Sequence, residues 1–169
     1  LKCGLTKYAI DTNDQGLCRI MHGWGDNRSY KIGSWSDPDG LARYSSTANS
    51  FWAISGMVKN DPTTKDVVMS AFRGLDSKYG IMTFDKAFPL DMHKYVGRIA
   101  NISAGTYENA GTYVHATMFA VSALFLMGES QEAWRQFDLG TVLSHKDCSK
   151  SPFAMPNSCL LYTSDAADE

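Results

Sequence analysis

Gly-Thr-Tyr-Glu-Asn-Ala-Gly-Thr-Tyr-Val-His-Ala-Thr-Met-Phe, residues 105 to 119, is the stretch on which the interpretation of the whole chain depends. Gly105 and Gly111 allow the backbone to turn tightly or to approach a ligand, because glycine has no Cβ. Asn109 tolerates the same unusual backbone angles. The apolar residues 114 to 127 follow at once and predict a helix. The stretch therefore predicts a flexible loop that opens onto a helix N-terminus.

Two side chains of this stretch can carry chemistry, Glu108 and His115. A helix N-terminus presents unpaired N–H groups and a partial positive charge, which suit an anion such as phosphate. His115 can donate one more hydrogen bond to that anion, and Glu108 can accept hydrogen bonds from the hydroxyls of a sugar. The same pattern is also typical of an ordinary turn and cap with a structural histidine. On pattern alone, that plainer interpretation is favoured.

Upstream of this stretch, the sequence predicts short elements followed by helices. Residues 1 to 16 predict the end of a helix and a turn, and residues 17 to 35 predict a hairpin around a Gly-Asp-Asn turn. Ser45 or Ser46 can cap a helix that runs to about Val58. Its expected core face consists of Phe51, Trp52 and Ile54.

A second helix is predicted to begin at Asp61-Pro62, with the aspartate as its cap, and to end at Lys78-Tyr-Gly80. The helix after Gly111 is expected to stop at Gly128, a favourable C-terminal residue. Ser130 is expected to cap the last helix, with Trp134 and Phe137 facing the helix before it. The last two helices then form a pair with a short turn.

Residues 80 to 105 predict a long irregular connection, and ordered connections of this length often carry function. The candidates to line a pocket there are Asp85, Asp91, His93, Arg98 and Asn101. The alternative is that these side chains only solvate a surface loop, and the sequence favours that alternative. None of them has the spacing of a metal site, so no metal is predicted.

Composition places the chain among ordinary globular proteins. It has 169 residues, of which 44% are hydrophobic and 20% charged, and its formal net charge is −2. This near-neutral charge argues against nucleic acid or an anionic membrane as the main partner. Cys3, Cys18 and Cys148 lack metal-type spacing and predict reduced thiols in a cytoplasmic protein.

Four blocks of the sequence resemble the cellobiose phosphorylase family, glycoside hydrolase family 94. Glu108–His115 resembles the family signature Glu-Asn-Gly-Gly-x-x-x-His, and Leu75–Thr83 resembles its segment of Leu-x-Thr-x-Tyr-Gly-Ile type. Ser50–Gly56 resembles its Ser-Trp-Ala-Val-Ile-Ser-Gly helix, and Ser151–Ser158 resembles its Pro-Tyr-x-x-Pro segment. The blocks occur in the order of the family, and the resemblance covers about residues 17 to 158.

The resemblance implies a mainly α fold: a fragment of an (α/α)6 barrel with a short β-hairpin and long irregular loops. It assigns Glu108 to the acceptor-side sugar and His115 to phosphate. Two positions depart from the cellobiose-cleaving members: Tyr107 stands where they have lysine, and Arg98 stands where they have glutamate. The substrate-binding candidates are therefore Glu108, Tyr107 and Arg98, and the departures put cellobiose itself in doubt.

The activity implied is cleavage of a disaccharide or oligosaccharide by inorganic phosphate, giving a sugar 1-phosphate of inverted configuration. Phosphate is the co-substrate and no cofactor is expected. The general acid is expected on a segment N-terminal to this one, so no catalytic residue is named. Two alternatives remain open: an inverting hydrolase on the same barrel, or a noncatalytic helical carbohydrate-binding scaffold. The resemblance also points to a homodimer for the full-length protein.

Residues 159 to 169 do not continue the preceding pattern, and they resemble a translated sequencing adapter. We therefore expect residues 1 to 158 to be part of a catalytic barrel and the rest to be a non-native tail. A part of a barrel leaves apolar surface uncovered, so residues 1 to 158 alone are expected to fold poorly.

Overall fold

The computed structural model describes residues 2–24, 31–141 and the backbone of 158–159. The predicted Gly-Asp-Asn turn, Cys148, most of the Ser151–Ser158 block and most of the predicted adapter tail lie outside these residues. The helices are α1 (Lys2–Tyr8), α2 (Ser46–Ile54), α3 (Pro62–Leu75), α4 (His93–Val96), α5 (Val114–Leu126) and α6 (Ser130–Leu139). The mainly α composition that the sequence predicts is confirmed.

Four pairs of short antiparallel strands join these helices in the described part of the chain. The strands are β1 (Ile10–Thr12), β2 (Cys18–Ile20), β3 (Gly23–Trp24), β4 (Lys31–Ile32), β5 (Asp76–Ser77), β6 (Gly80–Ile81), β7 (Thr112–Tyr113) and β8 (Ser158–Cys159). The four pairs are β1 with β2, β3 with β4, β5 with β6, and β7 with β8. The last pair sets Thr112 opposite Cys159, so the backbone at the start of the expected tail lies beside the Glu108–His115 block.

The expected hairpin within residues 17 to 35 forms as β3 and β4, with Gly23 opposite Ile32. A second hairpin, β1 and β2, was not predicted, because its strands have only three residues each. Asn13 closes its turn, where its Oδ1 accepts from the backbone N–H groups of Gln15 and Leu17. The segment after α1 is therefore a strand and not simply a turn.

Helices α2 and α3 begin where the sequence predicts. Ser45 caps α2 with its hydroxyl, and Asp61 caps α3, which has Pro62 at its start. Helix α3 ends at Leu75 and not at Lys78-Tyr-Gly80, because residues 76 to 81 form the β5–β6 hairpin. Helix α2 is likewise shorter than expected and ends at Ile54.

The main core lies where α2, α3, α5 and α6 meet. Its fully buried side chains come from all four helices and from two strands: Ile20, Trp52, Val68, Phe72, Leu75, Ile81, Ala120, Leu124 and Ala133. The prediction that Phe51 belongs to the core face of α2 is wrong. Its side chain is 47% exposed, packs on Phe119 of α5 and lines a surface cavity, so it lies outside the buried core.

The predicted pairing of the last two helices needs two corrections. Ser130 is the first residue of α6 and not its cap; Glu129 is the cap residue and makes no side-chain capping bond. Trp134 is 60% exposed although its ring packs edge to face on Phe125 of α5, and Ala133 is a fully buried residue of α6 in the main core. The rings of Phe125, Trp134 and Phe137 touch edge to face, and we call these three side chains the aromatic row.

The connection between β6 and the Glu108–His115 block is more ordered than predicted. It contains α4 flanked by two 3₁₀ turns, Leu90–Met92 and Gly97–Asn101. It also has a small core of its own, formed by Phe84, Phe88, Met92, Ala100 and Ala110. Among the described helices, none has the length and apolar character to cross a membrane.

Arg43 ties the loop after β4 to this connection. Its guanidinium is fully buried and donates to Asp37 at 3.0 Å and to Asp39 at 2.8 and 2.5 Å. It also donates to the backbone carbonyls of Lys86 and Ala87. Its hydrogen bond to Asp39 lowers the pKa of that carboxyl, whereas burial raises the pKa of Asp37 despite the opposing effect of Arg43. The network therefore holds the backbone of residues 86 and 87, which precede Phe88 of the small core.

Candidate functional site

The loop before α5 is held in a tight, partly left-handed conformation. Tyr107 and Ala110 have positive φ angles of 42° and 66°, as does Gly105 at 75°. Asn109, which tolerates such an angle, is not among these residues. Gly111 is needed for space: a Cβ there would lie 2.6 Å from the backbone nitrogen of Tyr107. The loop therefore folds back on itself so closely that position 111 has no room for a side chain.

Asn109 is a buried clamp between this loop and the preceding connection. Its Oδ1 accepts from the Phe88 N–H at 2.7 Å, and its Nδ2 donates to the Phe88 carbonyl at 3.0 Å and the Ile102 carbonyl at 2.8 Å. The side chain is completely buried. All three partners are backbone groups. The Asn109 side chain therefore joins the backbone of residues 88 and 102 to the loop, as hydrogen bonds between paired strands do.

Thr83, which follows β6, holds the same loop from the other side. Its Oγ1 lies 3.0 Å from the carbonyl oxygen of Glu108 and 3.3 Å from those of Tyr107 and Gly111. Its backbone N–H donates to the Gly111 carbonyl at 2.9 Å. A hydroxyl has one proton, so the shortest contact makes Glu108 its main acceptor. The backbone of Glu108 is thus fixed while its side chain stays outside this network.

A cavity of about 390 Å³ opens beside the loop and the first turn of α5. Its lining residues are His22, Thr47, Thr83, Phe84, Val96, Arg98, Ile99, Glu108, Tyr113, His115, Ala116 and Phe119. Three of the four predicted site residues, Arg98, Glu108 and His115, therefore share one cavity. The fourth, Tyr107, does not line it; its ring packs edge to face on Tyr113, with 6.2 Å between the ring centres.

Arg98 and Glu108 form an ion pair in this cavity, with 2.5 Å between Nη2 and Oε1. The Arg98 side chain is 75% exposed and that of Glu108 31%. A guanidinium has five N–H donors, so one bond to Glu108 leaves it able to bind a second acceptor. The pair can therefore present an acceptor and several donors to one ligand.

His115 lies in the first turn of α5, on the wall of the same cavity. Its ring is exposed and sits between Tyr113 and Phe119, with ring centres 6.1 and 4.8 Å away. Tyr113, the residue that precedes the helix, makes no side-chain capping bond. The first N–H groups of a helix have no partner within the helix. An anion in the cavity can therefore meet both the imidazole and the helix N-terminus.

The other candidates of the connection do not reach this cavity. Asp85 accepts from the backbone N–H of Tyr44 and has a structural role. Asp91, His93 and Asn101 are exposed and are not among the residues that line the cavity. The surface-loop alternative therefore describes Asp91, His93 and Asn101, but not the partly buried Asp85.

The family model for the catalytic domain of the glycosyl hydrolase 94 superfamily matches residues 25–162. The chain belongs to this family. A curated relative from Paenibacillus borealis, 3-O-beta-D-glucopyranosyl-beta-D-glucuronide phosphorylase, is 35% identical over 85 residues. The aligned part covers 50% of this chain and 11% of that relative.

His22 is a cavity residue of this family 94 chain that its sequence does not indicate. His22 precedes β3, and its Nδ1 lies 2.8 Å from the Ser45 hydroxyl, while its ring packs on Phe84 with 5.2 Å between centres. Part of the ring is open to solvent, yet the surrounding protein lowers the pKa of His22 by desolvation. No local pattern signals this role, because Ser45 and Phe84 are distant in sequence.

The cavity of this glycosyl hydrolase 94 domain suits oxygen-rich and anionic ligands. Its lining carries one guanidinium and two imidazoles against the single carboxylate of Glu108. In the described residues, no group of three or more histidine, cysteine, aspartate or glutamate side chains is arranged to hold a metal ion. Hydrogen bonding and charge are therefore the means of recognition that these side chains supply.

Proposed function

We propose that the chain is part of a longer inverting glycoside phosphorylase, and that its cavity binds the acceptor-side sugar and inorganic phosphate. The observation that carries this proposal is the shared cavity of Glu108 and His115 at the start of α5. Glu108 accepts hydrogen bonds from sugar hydroxyls. His115 and the N-terminus of α5 hold phosphate.

In the proposed reaction, a phosphate oxygen attacks the anomeric carbon as the glycosidic C–O bond breaks. A general acid protonates the leaving oxygen, and the product is a sugar 1-phosphate with inverted configuration. Holding phosphate in line beneath the anomeric carbon is the main task of the site, since orientation and charge govern this step. The proposal assigns the general acid to none of the described residues.

The charge of the cavity and the name of the curated relative also support an acidic acceptor sugar. Arg98 stands where the cellobiose-cleaving members have glutamate, and an arginine can bind a carboxylate through two N–H groups. The relative from Paenibacillus borealis is named for a glucuronide. We therefore propose a uronide as the acceptor, with its carboxylate on Arg98 and its hydroxyls near Glu108.

The two alternatives fit these observations less well. A hydrolase needs a second carboxylate to activate water. Among the described side chains that line the cavity, Glu108 is the only carboxylate, and it is already paired with Arg98. A noncatalytic scaffold predicts that Glu108 and His115 are sealed into packing, whereas His115 is exposed and the cavity is open. The exposed His115 favours a ligand-binding site over a scaffold, and phosphate dependence of the full-length enzyme decides between phosphorolysis and hydrolysis.

The aromatic row supports placing the chain in a larger helical barrel. Exposed aromatic side chains in a row on one face of α5 and α6 are the kind of surface that neighbouring helices cover. We propose that further helices of the same catalytic domain cover this face.

The test uses the full-length enzyme with 3-O-β-glucosyl-glucuronide and with cellobiose. We expect release of glucose 1-phosphate that requires phosphate, and faster cleavage of the glucuronide. His115→Ala should raise the KM for phosphate by about 10- to 100-fold, as loss of a hydrogen bond to a charged group implies. His93→Ala, at an exposed histidine outside the cavity, is the matched control. An unchanged phosphate KM in His115→Ala removes the assigned role.

Arg98→Ala tests the acidic acceptor separately. It should raise the KM for the glucuronide by about 10- to 100-fold and leave the KM for phosphate unchanged. Lys94→Ala, an exposed cation on the same segment, is its control. Equal use of glucuronide and cellobiose by the wild-type enzyme contradicts this part of the proposal.

A further inference from the structure

His22 lies where two cavities meet. It lines the 390 Å³ cavity of the site and also a neighbouring cavity of about 450 Å³ between α1, β2 and α2. The second cavity is lined mostly by apolar side chains, among them Ile20 and Trp52. Thr47 is the other residue common to both. A ligand in the site that extends toward the second cavity must pass beside the His22 ring.

The contacts of His22 favour a neutral ring that carries its proton on Nε2. Nδ1 lies 2.8 Å from the Ser45 hydroxyl, which also accepts from the Ala48 N–H as the cap of α2. The hydroxyl has one proton to donate, and within the described residues Nδ1 is the acceptor in reach. Because Ser45 is buried, donation to Nδ1 is the arrangement that satisfies its proton, and a neutral ring then carries its own proton on Nε2. The packing on Phe84 limits rotation of the ring.

We infer that His22 is a sugar-binding residue of this site, and that its Nε2–H donates a hydrogen bond to a hydroxyl oxygen of the bound carbohydrate. This inference rests on the proposed function, since it assigns one more contact in the same cavity. The chemical class of the ligand follows from the neutral ring. A phosphate anion favours a protonated imidazole, whereas an uncharged hydroxyl oxygen is matched by a neutral donor.

The lowered pKa of His22 supports the neutral form at pH 7, because burial disfavours the charged ring. The other charged or titratable groups that line the same cavity are Arg98, Glu108, Tyr113 and His115. Glu108 is engaged by Arg98, so the described lining holds no unengaged carboxylate that would draw a proton onto His22.

Two substitutions separate a ligand contact from a structural role. His22→Asn keeps a polar atom near the position of Nδ1, and so can keep the Ser45 bond while losing the Nε2 donor. His22→Gln keeps an N–H donor near the position of Nε2 and gives up the Ser45 bond. We expect His22→Asn to raise the sugar KM by about 10- to 100-fold and His22→Gln by only a few-fold. Neither should change the phosphate KM.

The opposite order, with His22→Asn close to wild type and His22→Gln impaired, overturns the inference, because it marks the Ser45 bond as the important one. A rise in the phosphate KM instead of the sugar KM also overturns it. His93→Asn controls for the substitution itself. Circular dichroism and the melting temperature of each variant establish that the fold is retained. If neither His22 variant folds, Ser45→Ala takes their place, because it removes the bond that orients the ring. It must raise the sugar KM and leave the phosphate KM unchanged, and an unaltered sugar KM overturns the inference.

Direct binding distinguishes failure of this inference from failure of the proposed function. Glucuronic acid and inorganic phosphate are titrated separately into the wild-type enzyme and both variants by calorimetry. If the wild type shows no phosphorolysis but binds glucuronic acid, and His22→Asn weakens that binding, the reaction is wrong and the contact stands. If His22→Asn binds glucuronic acid as the wild type does, or the wild type does not bind it, the contact is wrong.

Discussion

Replacing Asn109 by alanine should loosen the candidate site more than any exposed change nearby. The substitution removes three hydrogen bonds, two to Phe88 and one to Ile102. At about 1 kcal/mol net for each bond, the loss is about 3 kcal/mol. The Phe88 N–H is then left buried without a partner, which raises the expected loss to about 3 to 5 kcal/mol.

Hydrogen exchange measures this loss locally in the full-length enzyme. A loss of about 3 kcal/mol or more in the free energy of opening should speed exchange in the peptide over residues 84 to 92 by about 100-fold or more. Asn101→Ala changes an exposed asparagine of the same connection and is the matched control. Exchange at Phe88 that is equal in Asn109→Ala and the wild type refutes the clamp and the reasoning built on it.

Four further changes test other parts of the structure. Gly111→Ala places a methyl group 2.6 Å from the backbone nitrogen of Tyr107, so it should lower stability by about 1 to 3 kcal/mol in denaturant unfolding; an unchanged midpoint contradicts the geometry. Arg43→Ala leaves the fully buried Asp37 without its cation and should cost about 3 to 5 kcal/mol in the same measurement. Hydrogen bonds from the α3 N-terminus lower the pKa of Asp61, so its capping contribution is complete above the ordinary carboxyl pKa and is lost as pH falls through the lowered value; Asp61→Ala should abolish this pH dependence of exchange in α3. The isolated chain should bind a hydrophobic dye and melt without a sharp transition, and a cooperative melt of a soluble monomer contradicts that expectation.

The sequence predicts the elements whose signals are local. Ser45 and the Asp61-Pro62 pair cap α2 and α3 as expected, because a cap acts within a few residues of itself. Gly128 takes a left-handed angle just after α5, also as expected. The β1–β2 hairpin escaped prediction since three-residue strands leave almost no periodicity to detect.

The parts of the site that escaped prediction depend on contacts between distant segments. Thr83 acts on carbonyl groups 24 to 28 residues away, and no pattern around it indicates this. The sequence indicates Asn109 as a residue that tolerates unusual backbone angles, whereas in the structure its side chain bonds to a segment 21 residues earlier. The orientation of the His22 ring depends on its hydrogen bond to Ser45, 23 residues later. Local sequence thus indicates which residues can act, and tertiary packing decides what they do.

The aromatic row also allows the packing of further helices on this chain to be followed by tryptophan fluorescence. Trp134 is mostly open to water between its two phenylalanine neighbours, whereas Trp52 is buried in the main core. Fluorescence of Trp134 should therefore emit at longer wavelength and be quenched readily by acrylamide when the chain is alone. A shift of the Trp134 emission to shorter wavelength, with protection from acrylamide, is the expected result when other helices pack on α5 and α6.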